Sequence, residues 1–294
     1  MWPEIFFVAG IYFLFSVAVA GGSLFSCGTW IAPIVVLLYY TIKLPRAQWF
    51  GRLWVWKWFR DYYFPLTYEG YIRPPPPGTV YVYTMAPHGL FAWASIFGVL
   101  LNTDLFGHVE CSTSSVIFAF PIIRSLAQML GAFPASSKEF KERIERGQSV
   151  LINPEGVKAH IHMNRRREGM LEILRTRKGF CSMLASCSNA RSVYIVPVFT
   201  PGEWDTYWTW FPWPRFQEWM ISRFRYSGPF VMLGWLGTCL PKRVPLHMTF
   251  GEPIPVCQED CDYKDGGEQL HAAYMDAIYF MSEGKPNQSE VGDN

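Results

Sequence analysis

Residues Ile5 to Ile42 form a run of 38 residues without a charged side chain. A helix needs only ~20 apolar residues to cross the hydrocarbon core of a bilayer. Gly21-Gly22-Ser23 interrupts the run near its middle, so the sequence predicts a transmembrane helical hairpin over residues 1–45. A cleaved signal peptide ending at Ala18-Val19-Ala20 is the alternative. The absence of Lys and Arg ahead of the run, and the second apolar segment directly behind it, weigh against cleavage.

Basic and aromatic residues alternate in the segment 46–78, which follows the hairpin. The basic side chains near the membrane are Lys43, Arg46, Arg52, Lys57 and Arg60. The positive-inside rule then places the rest of the chain in the cytosol. Trp and Tyr between basic residues suit the lipid headgroup layer, so we expect an interfacial helix here, followed by a stiff Pro-rich spacer at 74–77. An ordinary aromatic core helix is the alternative.

Composition argues against several other classes of protein. The net charge is only +2, and the sequence has no aromatic and basic module of a nucleic-acid binder, so we expect no nucleic-acid partner. The seven Cys are scattered and odd in number, which favours free thiols in a reducing compartment. His160 and His162 alternate without a third ligand nearby. We interpret them as surface polar residues and expect no metal.

Residues 79–281 read as one α/β domain. The predicted strands are Thr79–Tyr83, Ser149–Ile152, Ser192–Phe199 and Pro245–Phe250. The predicted helices are Phe91–Leu101, Ile122–Leu130, Lys138–Arg146, Gly179–Cys187 and Leu270–Phe280. Alternating strands and helices indicate a single, mostly parallel sheet with covered faces. The polar segment 282–294 is predicted to be a disordered tail.

Two predicted strands end in a turn that presents a reactive side chain. The first turn, Pro87-His88-Gly89, precedes a helical pattern, so we expect His88 at a helix N-terminus, where the dipole lowers its pKa and free N–H groups lie beside it. The second turn, Asn153-Pro154-Glu155-Gly156, presents Glu155. Carboxyl ends of neighbouring parallel strands meet at one sheet edge, so both side chains are expected to face one crevice. The alternatives are a histidine satisfied by its neighbours and a carboxylate that caps the next helix.

A third candidate is the basic stretch Arg175–Phe180, which opens a predicted helix. Basic residues and a Gly at a helix start suit a phosphate, although a solvated charge run has the same composition. The Trp-rich stretch Trp204–Trp219 is expected either to form the rim of a lipid tunnel or to be an aromatic core or surface contact.

Five boxes fall in the order typical of the type 2 acyl-CoA:diacylglycerol acyltransferase family. They are Pro87-His88-Gly89, Ala119–Gly131, Arg177–Phe180, Val196-Pro197 with Gly202-Glu203, and Gly251–Ile254. The chain resembles this family, which includes monoacylglycerol and wax-ester acyltransferases, from about Thr41 to Phe280.

The resemblance implies a membrane-bound enzyme that transfers a fatty acyl group from acyl-CoA to diacylglycerol. His88 would be the general base, and Gly89 or Leu90 would supply an oxyanion N–H, with Pro87, Glu155 and Gly156 around the substrate. Arg177 and Lys178 would hold the phosphates of acyl-CoA. No cofactor is implied. The expected location is the endoplasmic reticulum membrane, with the catalytic domain in the cytosol, and lipid droplets as a second site.

The sequence departs from the family pattern at two places. Ala86 stands where the family usually has a first His, and Asn153–Gly156 resembles instead the Pro-Glu-Gly box of glycerol-phosphate acyltransferases. Those enzymes carry an Asp five positions after their His, where this chain has Trp93. Glu155 or Glu110 would then orient His88, or a backbone group would. A glycerol-phosphate or lysophosphatidate acyltransferase and a non-catalytic, hairpin-anchored lipid-droplet scaffold remain the alternatives. A hydrolase is disfavoured because no Gly-x-Ser-x-Gly occurs.

Overall fold

The computed structural model describes residues 46–162, 166–187, 192–228, 230–256 and 267–283. The predicted hairpin at 1–45 lies outside the described residues, as does all but the start of the predicted tail. In the described part of the chain, no helix has both the length and the apolarity that a bilayer crossing requires.

The described strands are β1 (Leu66–Gly70), β2 (Thr79–Ala86), β3 (Val109–Thr113), β4 (Ala132–Pro134), β5 (Ser149–Ile152), β6 (Ser192–Phe199), β7 (Trp208–Trp210), β8 (Val231–Leu233), β9 (Leu246–Phe250) and β10 (Ile254–Pro255). Eight of these strands form the main sheet, in the order β1-β9-β6-β2-β5-β3-β4, with β10 paired to β6. The pairs around β2, β3 and β5 are parallel, whereas β9 and β10 run antiparallel to β6. The chain therefore has the mostly parallel α/β architecture that its alternating pattern predicts.

The described α-helices are α1 (Gln48–Gly51), α2 (Trp54–Trp58), α3 (Thr103–Phe106), α4 (Pro121–Leu130), α5 (Ser137–Glu145), α6 (Ala159–His162), α7 (Arg166–Thr176), α8 (Gly179–Ala185), α9 (Pro214–Phe224) and α10 (Glu268–Ser282). Two π-helices cover Phe59–Tyr63 and Ala94–Leu100. The five predicted helices correspond to the π-helix Ala94–Leu100 and to α4, α5, α8 and α10.

Strand β2 is the centre of the domain because both of its faces are covered. Val80 and Val82 belong to a core that includes residues of α7, α8 and α10. Tyr81, Tyr83 and Met85, which alternate with them, join a second core on the opposite face that includes residues of the π-helix Ala94–Leu100. This alternation follows from the two-residue period of a strand. It gives the domain a layer on each side of the sheet.

The main sheet begins earlier than residue 79, the predicted start of the domain. Strand β1 lies in the segment predicted as interfacial helix and spacer, and it pairs in parallel with β9 from Leu66–Leu246 to Gly70–Phe250. The sequence analysis misses β1 because the strand is short and only partly buried, and Leu66 and Tyr68 are its only large apolar residues. The aromatic residues before it form α1, α2 and the π-helix Phe59–Tyr63.

Strands β7 and β8 form a separate two-stranded antiparallel ribbon. Helix α9 lies in the connection between them. The ribbon packs through Met232 against a small cluster around Leu90 and Tyr207. Leu90 is the second residue after His88, so the ribbon lies beside the turn that carries the candidate base.

Candidate active site

Three adjacent parallel strands, β6, β2 and β5, end at the same edge of the sheet. Ala86 at the end of β2 is paired with Phe199 of β6, and Thr84 is paired with Ile152 at the end of β5. The turns that follow these strands carry His88, Glu155 and Glu203. Parallel strand order thus gathers three ionisable side chains from distant parts of the sequence.

His88 and Glu155 lie in direct contact. The backbone N–H of His88 donates a hydrogen bond to Glu155 Oε2 over 3.0 Å. The ring Nδ1 of His88 is 3.4 Å from the same oxygen. Among the described residues Nδ1 has no hydrogen-bond partner. Nδ1 and the Glu155 oxygen are therefore close, but they are not aligned for a hydrogen bond. Since Nδ1 is turned toward Glu155, Nε2 is the ring nitrogen left for a substrate.

Burial keeps both partners uncharged near neutral pH. It lowers the pKa of His88 below its usual 6.5. It also raises the pKa of Glu155 from 4.5 to about 8, against the opposing effect of the hydrogen bond from the His88 backbone. A neutral imidazole holds a free lone pair and is ready to accept a proton. The predicted lowering of the His88 pKa is found, but its largest cause is burial and not a helix dipole.

Glu203 is a second buried carboxyl group, and it holds the other side of the turn. Its Oε2 accepts a hydrogen bond from Gly89 N–H over 3.2 Å, and its Oε1 accepts one from Ala94 N–H. Burial raises its pKa to about 8. Ala94 is the first residue of the π-helix, so Glu203 caps this helix, which begins six residues after His88. The expectation that His88 itself lies at the helix N-terminus is therefore wrong, because a carboxylate from another loop accepts the first helical N–H.

The glycine at position 89 is required by the contact with the Glu203 backbone. A Cβ atom there would lie 2.5 Å from the carbonyl oxygen of Glu203. The hydrogen bond to Glu203 also occupies Gly89 N–H, which was one of the two predicted oxyanion donors. Glu203 takes the N–H groups of Gly89 and Ala94 but not that of Leu90, so Leu90 is the better placed of the two predicted donors.

Polar side chains also hold the end of β2 in place. Asn153 Nδ2 donates to the carbonyl oxygen of Met85 over 3.2 Å. Thr200 Oγ1 donates to the carbonyl oxygen of Pro87 over 2.8 Å. Glu155, Glu203 and these two residues together fix the turn from both neighbouring strand ends.

His160 lies beside His88, which the sequence did not indicate. The two ring centroids are 5.7 Å apart. His160 Nδ1 and Ser227 Oγ are hydrogen-bonded at 2.5 Å. Burial, followed by repulsion from the protonated form of His88, lowers the pKa of His160 to about 3. His160 is therefore a neutral, partly buried residue beside the candidate base, so the interpretation of it as a surface polar residue is wrong. The only sequence signal was its place five residues after Glu155 on a short helix.

Of the remaining predicted residues, some lie near His88 and Glu155 and others lie far from them. Arg177 Nη2 donates to the carbonyl oxygen of Glu155 over 3.2 Å, next to Gly156, whose φ of 58° forms the turn. Lys178 instead forms an exposed ion pair with Glu268 at 3.0 Å, so the structure does not bring it to the same place. Glu110 accepts a hydrogen bond from Arg143 Nε over 2.6 Å and does not contact His88. Of the two carboxylates proposed to orient His88, only Glu155 reaches it.

No set of three or more His, Cys, Asp or Glu residues in the described ranges is arranged to hold a metal ion. The local chemistry is that of an imidazole between two buried carboxyl groups. Such a site can accept a proton from a hydroxyl group and return it to a leaving group.

The contribution of Glu155 to thermal stability should fall as the pH rises from about 5 to about 8. The pKa of Glu155 is about 8 in the folded protein, compared with 4.5 when exposed. Between these values the unfolded chain has released a proton that the folded protein still binds, so increasing pH favours unfolding. Glu155→Gln cannot ionise, and its amide oxygen can still accept the His88 N–H. Unfolding midpoints measured across this range should therefore be less pH-dependent in Glu155→Gln than in the wild type.

The control for this experiment is Glu268→Gln, which removes an exposed carboxylate. It should leave the pH slope of the unfolding midpoint unchanged. Equal slopes in the wild type and Glu155→Gln would show that Glu155 does not carry a raised pKa.

Comparison with known proteins identifies the family to which the chain belongs. The family model for diacylglycerol acyltransferase matches residues 24–293. The 2-acylglycerol O-acyltransferase 1 of Bos taurus is 23% identical over 292 residues, covering 89% of this chain and 83% of the relative. The acyl-CoA wax alcohol acyltransferase 1 of Mus musculus is 26% identical over 259 residues, covering 81% and 75%.

A solved structure is similar over most of its length. The 1-acyl-sn-glycerophosphate acyltransferase of Thermotoga maritima aligns with a TM-score of 0.48 and 13% identity, covering 97% of this chain and 95% of the other. The family model spans nearly the whole sequence, including all three strand-end turns and both buried carboxyl groups. The chain belongs to the diacylglycerol acyltransferase family and is an acyltransferase.

Proposed function

We propose that this protein transfers a fatty acyl group from acyl-CoA to the free hydroxyl group of diacylglycerol, forming triacylglycerol. The observation that carries the proposal is the buried, neutral His88, with Nδ1 toward Glu155 and its turn held by Glu203, in a chain of this family. A hydroxyl group near neutral pH is a weak nucleophile, and a positioned base is what acyl transfer to it requires.

The reaction proceeds by direct attack. His88 Nε2 removes the proton of the acceptor hydroxyl group as its oxygen bonds to the thioester carbonyl carbon. Leu90 N–H is the donor that stabilises the oxyanion, and one such donor is typically worth ~10²-fold or more in rate. The tetrahedral intermediate expels the thiolate of CoA, which takes the proton back from His88. No cofactor enters these steps, because acyl-CoA is a substrate.

The acceptor is proposed to be a neutral lipid for two reasons. The relatives are named for 2-acylglycerol and for wax alcohol, which are both uncharged acceptors. The place where glycerol-phosphate acyltransferases usually hold the phosphate with an Arg has the sequence Gly131–Ser136 in this chain, and Val157-Lys158-Ala159 follows the Pro-Glu-Gly box. Lys does not reproduce the bidentate grip of a guanidinium group on phosphate.

A second candidate function, transfer to a phosphate-bearing acceptor, is supported by one feature of Arg177. This residue bonds the backbone of Glu155, but its Nε atom is buried and lacks a partner among the described residues. Burial, and then the charge of the nearby Arg225, lower its pKa. A pair of like charges near the site suits an anionic ligand. In the neutral-lipid proposal that ligand is a phosphate group of acyl-CoA.

An acceptor panel should give the highest rate with diacylglycerol. Membranes from a host without neutral-lipid synthesis, expressing the full chain, would receive labelled acyl-CoA and one acceptor at a time at matched surface concentration. We expect slower transfer to monoacylglycerol and to a long-chain alcohol, and little or none to glycerol 3-phosphate or lysophosphatidate. A scaffold without activity would transfer to none of these acceptors. Faster transfer to lysophosphatidate than to diacylglycerol would establish the second candidate.

Arg177→Gln separates the two roles of the guanidinium group. If Arg177 binds acyl-CoA, the KM for acyl-CoA should rise several-fold with every acceptor. If it binds an acceptor phosphate, only the KM for lysophosphatidate should rise. Lys178→Gln is the matched control, since its ion pair with Glu268 lies on the surface.

A further inference from the structure

The β7–β8 ribbon presents four large apolar side chains on one face. Trp208 is paired with Leu233, and Trp210 with Val231. Directly opposed residues of an antiparallel pair project from the same face, so the four share a surface. They remain 51%, 40%, 54% and 41% exposed in that order.

The opposite face of the ribbon is fixed against the domain. Met232 packs with Leu90 and Tyr207, and Phe230 packs on the same cluster. Since alternate residues of a strand point to opposite sides, this contact directs the Trp208 and Trp210 side chains away from the protein. The ribbon therefore cannot bury its apolar face by turning inward without losing its contact beside the His88 turn.

The apolar surface extends along the neighbouring chain. Trp235 and Leu236 follow β8 directly, and Leu236 is 79% exposed, with a φ of 50° that is unusual for leucine. Of the 21 large apolar side chains that are exposed in the described residues, 11 lie between positions 208 and 240. An exposed concentration of this kind marks an interaction surface.

Charge identifies the class of partner. Residues 208–243 contain five basic side chains and one acidic side chain, Glu218. The basic residues are Arg215, Arg223, Arg225, Lys242 and Arg243. Trp and Leu combined with an excess of Arg and Lys are typical of surfaces that enter the headgroup layer of an anionic membrane.

The chain that follows the ribbon contacts the aromatic segment that begins after residue 45. The guanidinium of Arg243 lies 4.3 Å from the ring centroid of Tyr62. Tyr63 OH donates a hydrogen bond to the carbonyl oxygen of Pro241 over 2.6 Å. Trp58 and Tyr62, whose ring centroids are 5.4 Å apart, are both exposed. The chain that follows the ribbon and the predicted interfacial segment thus adjoin.

We propose that the outer face of the ribbon, formed by Trp208, Trp210, Val231 and Leu233 and extended by Trp235–Leu236, docks on a phospholipid bilayer. The inner face contacts Leu90, so docking places the His88 turn next to the membrane from which an acyl acceptor would enter. The role of this surface in supplying an acceptor rests on the proposed function, whereas its exposure and its apolar character do not. It is a contact additional to any anchor formed by residues 1–45.

Photo-crosslinking of the full chain tests this surface without requiring activity. Trp210 would be replaced by photoreactive benzoylphenylalanine, and the protein reconstituted in vesicles of phosphatidylcholine and phosphatidylserine. We expect a phospholipid adduct at position 210. The proposal would be overturned if position 210 formed its adduct with residues 1–45 or with a second copy of the chain. It would also be overturned if no phospholipid adduct formed.

The matched control places the same group at Tyr279, an exposed aromatic residue of α10, and should give no phospholipid adduct. The double variant Trp208→Ser/Trp210→Ser supplies a functional measurement. It should raise the apparent KM for an acceptor embedded in vesicles several-fold and leave kcat unchanged. An unchanged KM would contradict the proposal. A crosslink to lipid in a protein without acyltransferase activity would refute the proposed function while supporting the docking surface.

Discussion

Replacing His88 by alanine should lower the rate of acyl transfer by at least ~10²-fold, the lower end of what a lost general base costs. The imidazole is buried and neutral, and its turn is fixed by hydrogen bonds to two carboxyl groups, so its loss should remove the proton acceptor of the reaction. Labelled acyl-CoA and diacylglycerol in membranes would give the rate. The pH profile of the wild type should decline only below the usual histidine pKa of 6.5, because burial lowers the pKa of His88.

The control for this variant is His247→Ala. His247 lies on β9, and its half-exposed side chain pairs with Glu69 at 3.0 Å. Its loss should leave the rate within a few-fold of the wild type. Equal expression and membrane insertion of His88→Ala would assign the lost rate to chemistry. An active His88→Ala protein would remove His88 from the mechanism.

Glu203→Ala should lower both stability and activity. The substitution leaves two buried N–H groups, those of Gly89 and Ala94, without their acceptor. A buried donor without a partner costs ~1–3 kcal/mol, so two of them should lower the free energy of unfolding by about 2–6 kcal/mol. The unfolding midpoint in detergent should fall by several degrees. The rate should fall as well, because both N–H groups hold the turn that carries His88.

The stability and the rate of the Glu203→Gln variant should lie between those of Glu203→Ala and those of the wild type. Its amide oxygen accepts one of the two N–H groups, but its NH₂ group faces the other donor. Glu268→Ala, which removes an exposed ion pair, should change the unfolding midpoint little. A Glu203→Ala protein as stable as the wild type would show that these hydrogen bonds contribute nothing.

The pairing of His88 with Glu155 follows from local sequence patterns. Each residue lies just after an apolar, β-branched strand, and such strands in an α/β pattern run parallel in the middle of a sheet. Their ends must then meet at one edge. Strands β2, β5 and β6 were predictable for this reason, since nearly all of their residues are buried.

Other parts of the site depend on contacts that no local pattern encodes. Glu203 follows β6 by only a few residues, but its role is set by two N–H groups more than a hundred positions earlier. The hydrogen-bond partner of His160, Ser227, lies 67 positions later in the sequence, and the residues around Ser227 carry no periodic signal. Arg177 and Lys178 are adjacent in the sequence but have different partners. Arg177 bonds the Glu155 backbone, whereas Lys178 pairs with Glu268 on the surface, and no local pattern predicts this difference.

The Trp residues after β6 also have different environments that the sequence does not distinguish. The sequence allowed either a tunnel rim or an ordinary aromatic contact for Trp204–Trp219. Trp204 packs on the main core, whereas Trp208 and Trp210 face outward. Composition identifies such residues as apolar, but only the strand register decides which of them reach the surface.

The position of β1 limits how the chain can be shortened. This strand stands ahead of the four prolines at 74–77 and supplies the last hydrogen-bonded partner of β9. A truncated protein that began at the proline segment, as a sequence-based domain boundary would suggest, would open the edge of β9 to solvent. Open strand edges pair with other chains, so such a fragment would be prone to aggregate. Preparations intended for crystallisation should therefore begin ahead of Leu66.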